Sequence, residues 1–185
     1  KYPHVYILTD DIYEKIIYDE VSFSTLASVM PELKNRILTL NGVSKAYCMT
    51  GWRLGYCGGP KNIIAAMNKI QSQSTTSTSS ITMAASVEAL LGDQDFIAEH
   101  NQQFKKRRDM VVKKLNSIDG ISCSTPSGAF YVYPGCIGII GKKTPSGEII
   151  DNDEKFMSYL LESEGVAGVH GEAFGLSPYF RLSYA

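Results

Sequence analysis

The first part of the chain places short β-rich runs ahead of a helical pattern. VYIL (residues 5–8) is predicted to form a buried strand, and RILTLNGV (36–43) and RLGYCGG (53–59) are predicted to form two more. A helix is predicted to begin at Pro60, because proline favours the first turn of a helix and the apolar residues of PKNIIAAMNKIQ recur at helical spacing along one face. Strands that alternate with helices predict an α/β fold, in which ligands bind where the strands end.

The second part combines one long amphipathic helix with short strands. The helix is predicted over residues 93–118, with Asp93 as its N-cap and Gly120 just past its end, and its KKRR run is interpreted as a solvated face. The other predicted elements are the strands ISCST and GAFYVYP, the helix DNDEKFMSYLLESEG, and the segments VAGVHG and YFRLSYA. Together they form a compact α/β unit, so the predicted domains are residues 1–92 and 93–185.

Charge and cysteine usage argue against several classes of function. The formal net charge is -1, so no global electrostatic field points to nucleic acid or to an anionic membrane. The four cysteines form no CxxC pair and no cluster at zinc-ligand spacing, which predicts neither a disulfide framework nor a metal site and favours a reducing, cytoplasmic setting. No apolar run is long enough for a membrane span, and the N-terminus lacks the pattern of a signal peptide. Both ends of the chain are expected to be truncated.

The segment NGVSKAYCMTGWRLGYCGGP (residues 41–60) carries a lysine and an arginine among small residues. Taken alone, Lys45 is most simply a solvated surface lysine. A lysine that forms imines must instead be held at a fixed point with free amine available, and Lys45 follows a predicted strand in a loop rich in glycine. Arg53 is placed to offer a fork of donors to a phosphate.

The run GVSKAYCMTGWRLG (residues 42–55) resembles the signature of the class I aminotransferases, which are fold-type I enzymes that use pyridoxal 5'-phosphate (PLP). The resemblance implies that Lys45 forms the Schiff base with PLP and that Arg53 binds the phosphate. It also implies a fold made of part of a large, mainly parallel-sheet domain and a smaller C-terminal α/β domain.

Two further matches stand in the family's order. Asp10 and Tyr13 resemble the family's D-x-x-Y element, which implies that Asp10, not Asp11, pairs with the pyridine nitrogen while Tyr13 hydrogen-bonds the 3'-oxygen. The alternative for Asp10 is an ordinary turn residue after a strand. YFRLSY (179–184) resembles the strand whose arginine binds the α-carboxylate of the substrate, and the alternative for Arg181 is a strand residue turned to solvent.

Some segments match less well. The hydroxyl-rich stretch 73–77 resembles a loop that reaches the cofactor phosphate of the neighbouring subunit in a homodimer, although its composition also fits a flexible loop. Gly42 stands where many relatives have serine, and His170 stands where proline is frequent, which favours a packing or surface role for this histidine. The loop 135–148 matches nothing.

The resemblance implies an aspartate-type aminotransferase of the bacterial branch that passes an amino group from an L-amino acid to 2-oxoglutarate and works as a homodimer. Family members are about twice as long, so the chain is expected to be a C-terminal half that is inactive alone. The alternatives are an aromatic or prephenate aminotransferase, a carbon–sulfur lyase of the same branch, or a non-catalytic fragment. No nucleic-acid or membrane partner is expected.

Overall fold

The computed structural model describes residues 2–185. The chain divides into two compact units, Lys1–Glu99 and His100–Ala185. This division falls within a helix that covers Asp95–Leu115. The predicted domains, 1–92 and 93–185, assign that whole helix to the second domain, and this assignment stays a prediction.

A three-stranded sheet with adjoining helices makes up the first unit. In chain order the elements are β1 (Ile7–Asp10), α1 (Leu26–Val29), a 3-10 helix (Pro31–Arg36), β2 (Ile37–Gly42), a 3-10 helix (Thr50–Trp52), β3 (Gly55–Gly58), α2 (Lys61–Gln73) and α3 (Ser80–Leu91). The strands lie in the order β1-β2-β3. Strands β1 and β2 are parallel, with Asp10 opposite Leu40, whereas β2 and β3 are antiparallel, with Gly42 opposite Gly55.

The helix predicted to open at Pro60 is confirmed. Pro60 is the N-cap of α2, and its carbonyl accepts from the backbone amides of Ile63 and Ile64 at 3.0 Å. The proline ring presets the dihedral angle that the start of a helix needs, and its missing N–H costs nothing there.

The prediction that VYIL forms a buried strand is only partly right. Strand β1 begins two residues later than Val5, because the N–H of Val5 is used in a turn with the carbonyl of Tyr2. Its residues alternate between half-buried and exposed, and Leu8 is 62% exposed. Successive side chains of a strand point to opposite faces, so one face of β1 packs and the other is open.

The second unit builds a smaller antiparallel sheet beside two helices. Its elements are α4 (Asp95–Leu115), which begins in the first unit, β4 (Tyr131–Val132), α5 (Asp153–Glu164), β5 (Val169–His170), a 3-10 helix (Gly171–Phe174) and β6 (Phe180–Ser183). The strand order is β4-β6-β5, and both pairs are antiparallel. The core includes Val112, Val132, Cys136, Phe156 and Phe180.

Two predictions about α4 and the segment after it are wrong, and a third holds only in part. The helix covers a shorter range than 93–118. The first three residues of the KKRR run are exposed, as predicted, but Arg108 is buried, with its guanidinium 2.8 Å from the carboxylate of Asp109 and donating to the carbonyl of Pro126 at 2.9 Å. ISCST forms only an isolated bridge between Ser122 and Gly135.

The side chain of Asn116 explains why ISCST is not a strand. It donates to the carbonyl of Cys123 at 2.9 Å and accepts from the amide of Cys123 at 2.7 Å. Both backbone groups of this residue are thereby used by a side chain and cannot join a ladder.

Among residues 2–185, no helix has the length and the apolar character that crossing a membrane would require.

Candidate active site

Four of the five predicted site residues lie in or beside segments that meet at one edge of the first sheet. Strand β1 ends at Asp10 and β2 ends at Gly42, while the antiparallel β3 starts at Gly55. Tyr13 follows β1, Lys45 follows β2 and Arg53 precedes β3. In α/β sheets the carboxyl ends of parallel strands are the usual place for a ligand, so the topology collects these side chains where chemistry is expected.

A packed turn holds Lys45. Its neighbours Val43, Ala46 and Tyr47 are buried, and the backbone amide of Cys48 donates to the carbonyl of Lys45 at 3.1 Å. The Tyr47 hydroxyl donates to the side-chain carbonyl of Gln94 at 3.0 Å, which ties the turn to the start of α4. The burial of both flanks fixes the backbone of Lys45, while its own side chain stays half-buried.

The structure brings Lys45 and Tyr13 together. The Nζ atom of Lys45 lies 5.8 Å from the centroid of the Tyr13 ring, within the range of a cation–π contact. The two residues come from the turns after β1 and β2, whose parallel pairing places these turns side by side.

Asp10 and Asp11 have different surroundings. The Asp10 carboxylate is exposed, and its Oδ1 accepts from the amide of Ile12 at 3.3 Å. The amide of Asp11 donates to the carbonyl of Leu40 at 2.9 Å, which continues the ladder, and its Oδ2 is buried without a hydrogen-bond partner. The contact with Ile12 is also what a turn residue would make, so the assignment of the pyridine nitrogen to Asp10 stays a prediction.

A cavity of about 520 Å³ opens between the sheet and α2. Its lining includes Asp10, Asn41, Tyr56 and Met67, but not Lys45. Tyr56 is a polar residue of this cavity that the sequence did not single out, although it follows directly in the RLGY run. Partial burial raises the pKa of its phenol, and the nearby Glu14 carboxylate raises it further, so the hydroxyl remains a hydrogen-bond donor at neutral pH.

Arg53 occupies a left-handed backbone conformation, with φ 54° and ψ 50°, between the 3-10 helix and β3. Few non-glycine residues adopt this conformation, and here it turns the chain into the strand. One N–H of its exposed guanidinium donates to the carbonyl of Thr50 at 2.9 Å. A guanidinium has five N–H donors, so others remain for an anion such as a phosphate.

Arg181 belongs to the second unit and lies on β6. Its Cζ atom is 4.6 Å from the ring centroid of Tyr131 and 4.7 Å from that of Phe174. Two aromatic faces therefore hold the half-buried guanidinium. The assignment of Arg181 to the substrate carboxylate stays a prediction. The aromatic neighbours were not singled out from the sequence, since they come from different elements.

The hydroxyl-rich stretch lies at the end of α2 and in the loop that follows. Helix α2 ends at Gln73, and α3 begins at Ser80. Residues 73–77 are exposed, and the side chains of Gln71 and Thr75 are hydrogen-bonded to each other.

Comparison with known proteins gives the family. The family model for Aminotransferase class I and II matches residues 1–185. The chain belongs to this family. It is 58% identical over all of its 185 residues to the aspartate aminotransferase of Rhizobium meliloti (strain 1021) and to a probable aspartate/prephenate aminotransferase of Rhizobium leguminosarum bv. phaseoli. These alignments cover 45% and 46% of the two relatives, so this aminotransferase chain spans about half their length.

Solved structures give the same fold. The crystal structure of the aspartate aminotransferase from Rhizobium meliloti superposes with a TM-score of 0.96 at 58% identity, over 99% of this chain and 46% of that one. The aromatic aminotransferase from Pyrococcus horikoshii OT3 superposes with a TM-score of 0.82 at 33% identity, over 97% of this chain and 46% of that one. The predicted fold class, part of fold type I, is confirmed.

Proposed function

We propose that this chain is part of a PLP-dependent, aspartate-type aminotransferase that transfers an amino group from an L-amino acid to 2-oxoglutarate. The observation that carries the proposal is the pair formed by Lys45 and Tyr13, 5.8 Å from amine to ring centroid, in a member of the aminotransferase family. This pair lies at the sheet edge where Asp10 ends β1 and Arg53 precedes β3.

The chemistry of these four side chains fits PLP. The amine of Lys45 suits the aldehyde, the hydroxyl of Tyr13 suits the ring 3'-oxygen, the carboxylate of Asp10 suits the ring nitrogen, and the guanidinium of Arg53 suits the phosphate. Exposure of the Asp10 carboxylate and of the Arg53 guanidinium leaves both groups accessible to such a ligand.

When bound, PLP supplies an electron sink for the pair of electrons released at the substrate Cα. Asp10 would lie beside the ring nitrogen and favour its protonated form, because a nearby carboxylate favours the charged pyridinium. Lys45 would anchor the cofactor until the incoming amino group of the substrate displaces it, and its free Nζ would then take the proton from Cα as general base. In the second unit, Arg181 binds the α-carboxylate through two parallel charge-assisted hydrogen bonds and so orients the Cα–H bond.

Prephenate transamination is the second candidate function. It is favoured by the relative from Rhizobium leguminosarum bv. phaseoli, whose name includes both aspartate and prephenate and which is 58% identical to this chain. A carboxylate on the substrate is common to both reactions, so the role of Arg181 is the same in each.

The proposal extends to a homodimer in a cytoplasmic setting. The hydroxyls within residues 73–77 are exposed, and we assign to them a contact with the cofactor phosphate of the partner subunit. Small hydroxyl and amide groups can donate to phosphate oxygens without adding bulk. Sedimentation of the PLP-loaded protein tests the dimer, and a monomer with full activity would remove this part of the proposal.

Substitution of Lys45 tests the function. In the product of the complete reading frame that encodes this chain, Lys45→Ala should abolish transamination of aspartate and 2-oxoglutarate. Lys15→Ala is the matched control, because the Nζ of Lys15 also lies over a tyrosine ring, 5.9 Å from the centroid of Tyr47. The control should keep parental turnover. Turnover near the parental rate in Lys45→Ala would refute the proposed function.

A further inference from the structure

Three potential metal ligands converge in the second unit, away from the proposed catalytic lysine in the sequence. Asp153 is the first residue of α5, His170 is the last residue of β5, and Glu172 lies in the 3-10 helix that follows. One ligand atom from each residue lies within 4.8 Å of the others. The sequence did not reveal this cluster, because its spacing matches no zinc motif and only the fold brings α5 to the end of β5.

The Asp153 carboxylate is fully buried. Its Oδ1 accepts from the Ser177 hydroxyl at 3.0 Å, and its Oδ2 accepts from the backbone amides of Glu172 at 3.1 Å and Tyr179 at 3.4 Å. These three donors are neutral groups from elsewhere in the unit, and none of them is a cation.

His170 provides an independent observation. Its Nδ1 atom is buried and has no hydrogen-bond partner among the residues described. Buried polar atoms of proteins are nearly always satisfied, so this ring nitrogen needs a partner from outside the described residues, such as a bound ion. An imidazole nitrogen next to carboxylate oxygens is a common donor set for a metal ion.

We propose that Asp153, His170 and Glu172 bind one divalent transition-metal cation of the zinc type. One nitrogen and two oxygens suit Zn²⁺, and bond lengths of about 2.0–2.2 Å around a tetrahedral ion place neighbouring ligand atoms about 3.4 Å apart. The present separations need to contract, and the side chain of Glu172 is exposed to solvent. Water completes the coordination from the solvent side.

Such an ion would link three elements of the second unit. The start of α5, the end of β5 and the 3-10 helix would share one centre, and Phe174, which packs on Arg181, belongs to that same 3-10 helix. A ligand that binds only the folded state raises thermal stability, so Zn²⁺ is expected to stabilise this unit.

Zinc titration of the complete, untagged, metal-free protein tests the site. A chromophoric chelator competes for Zn²⁺, and the parent should bind one equivalent at this site. His170→Gln and Glu172→Gln should each weaken its affinity at least about tenfold, because even the loss of an outer-shell partner costs 10–100-fold. Asp153 is left unchanged, because its hydrogen bonds also hold the fold.

Two control variants separate this site from others on the protein. His4→Gln removes an exposed histidine, and Cys48→Ser removes an exposed thiol. Both should bind Zn²⁺ as the parent does, and Zn²⁺ should raise the unfolding temperature of the parent and of both controls but not of His170→Gln. Equal affinity in the parent, His170→Gln and Glu172→Gln would overturn the proposal, as would a loss of the bound equivalent in either control.

Discussion

Replacement of Arg181 by leucine is expected to damage catalysis with every amino acid substrate. The guanidinium is held between Tyr131 and Phe174, with its Cζ 4.6 and 4.7 Å from the ring centroids, so its fork is already oriented. The substitution removes two charge-assisted hydrogen bonds to the α-carboxylate, each worth about 1.5–3 kcal/mol. The loss of about 3–6 kcal/mol corresponds to a fall of about two to four orders of magnitude in kcat/KM, at about 1.36 kcal/mol per factor of ten.

The assay is coupled transamination by the product of the complete reading frame, with several L-amino acids and 2-oxoglutarate. Because all amino acids share the α-carboxylate, the fall should be similar for each. Arg181→Lys should recover little of the loss, since lysine is a point charge without a fork. Arg107→Leu is the control, because Arg107 is exposed and also lies near a ring, 5.9 Å from the centroid of Phe104.

Two outcomes would refute this reasoning. Parental kcat/KM in Arg181→Leu would place the carboxylate site elsewhere. A fall confined to a single amino acid would mean that Arg181 recognises a substrate side chain instead.

Three further expectations concern the cofactor, the thiols and the isolated chain. Asp10→Ala should weaken PLP binding and slow the half-reaction with aspartate, because an unprotonated pyridine is a poor electron sink. Unchanged half-reaction rates would mean that Asp10 is only a turn residue. Burial raises the pKa of Cys123, so this thiol stays protonated at pH 8 and should alkylate far more slowly than the exposed Cys48. The alkylation rate of Cys123 should still rise above pH 9. Equal labelling of Cys123 and Cys48 in the native protein would contradict the burial of Cys123. The 185-residue chain alone should not transaminate, since it spans 45% of its relative from Rhizobium meliloti (strain 1021), and turnover comparable to that of complete relatives would contradict this expectation.

The elements that the sequence predicted well are those set by local chemistry. Pro60 begins α2 because its ring favours the first turn of a helix, and this signal lies within one residue of the observed start. The helix predicted over DNDEKFMSYLLESEG is observed as α5. The Asn152 side chain accepts from the amide of Lys155 at 2.8 Å at its start, and Gly165 takes a left-handed conformation at its end.

The errors arose where distant residues decide the structure. Cys123 is not part of a strand, because the side chain of Asn116 binds both backbone groups of Cys123. Arg108 looked like part of a solvated helix face, but the carbonyl of Pro126 and the packing of the unit bury it. No local pattern carries either contact.

The candidate site divides in the same way. The spacing of Lys45 and Arg53 could be recognised from the sequence alone, whereas the approach of Lys45 to Tyr13 depends on the parallel pairing of β1 with β2. The rings beside Arg181 come from β4 and from the 3-10 helix before β6, and they meet only in the folded unit.

The central claim is that the amine of Lys45 is the covalent attachment point of PLP. The direct measurement is borohydride reduction of the PLP-loaded protein, followed by tryptic digestion and mass spectrometry. Attachment at Lys45 blocks cleavage after this residue, so the cofactor should appear on a peptide that runs from Ile37 to Arg53. Lys45→Ala also lacks this cleavage site, so it should yield the peptide of the same bounds without the cofactor. Recovery of the reduced cofactor on another lysine, with an unmodified peptide that ends at Lys45, would contradict the account.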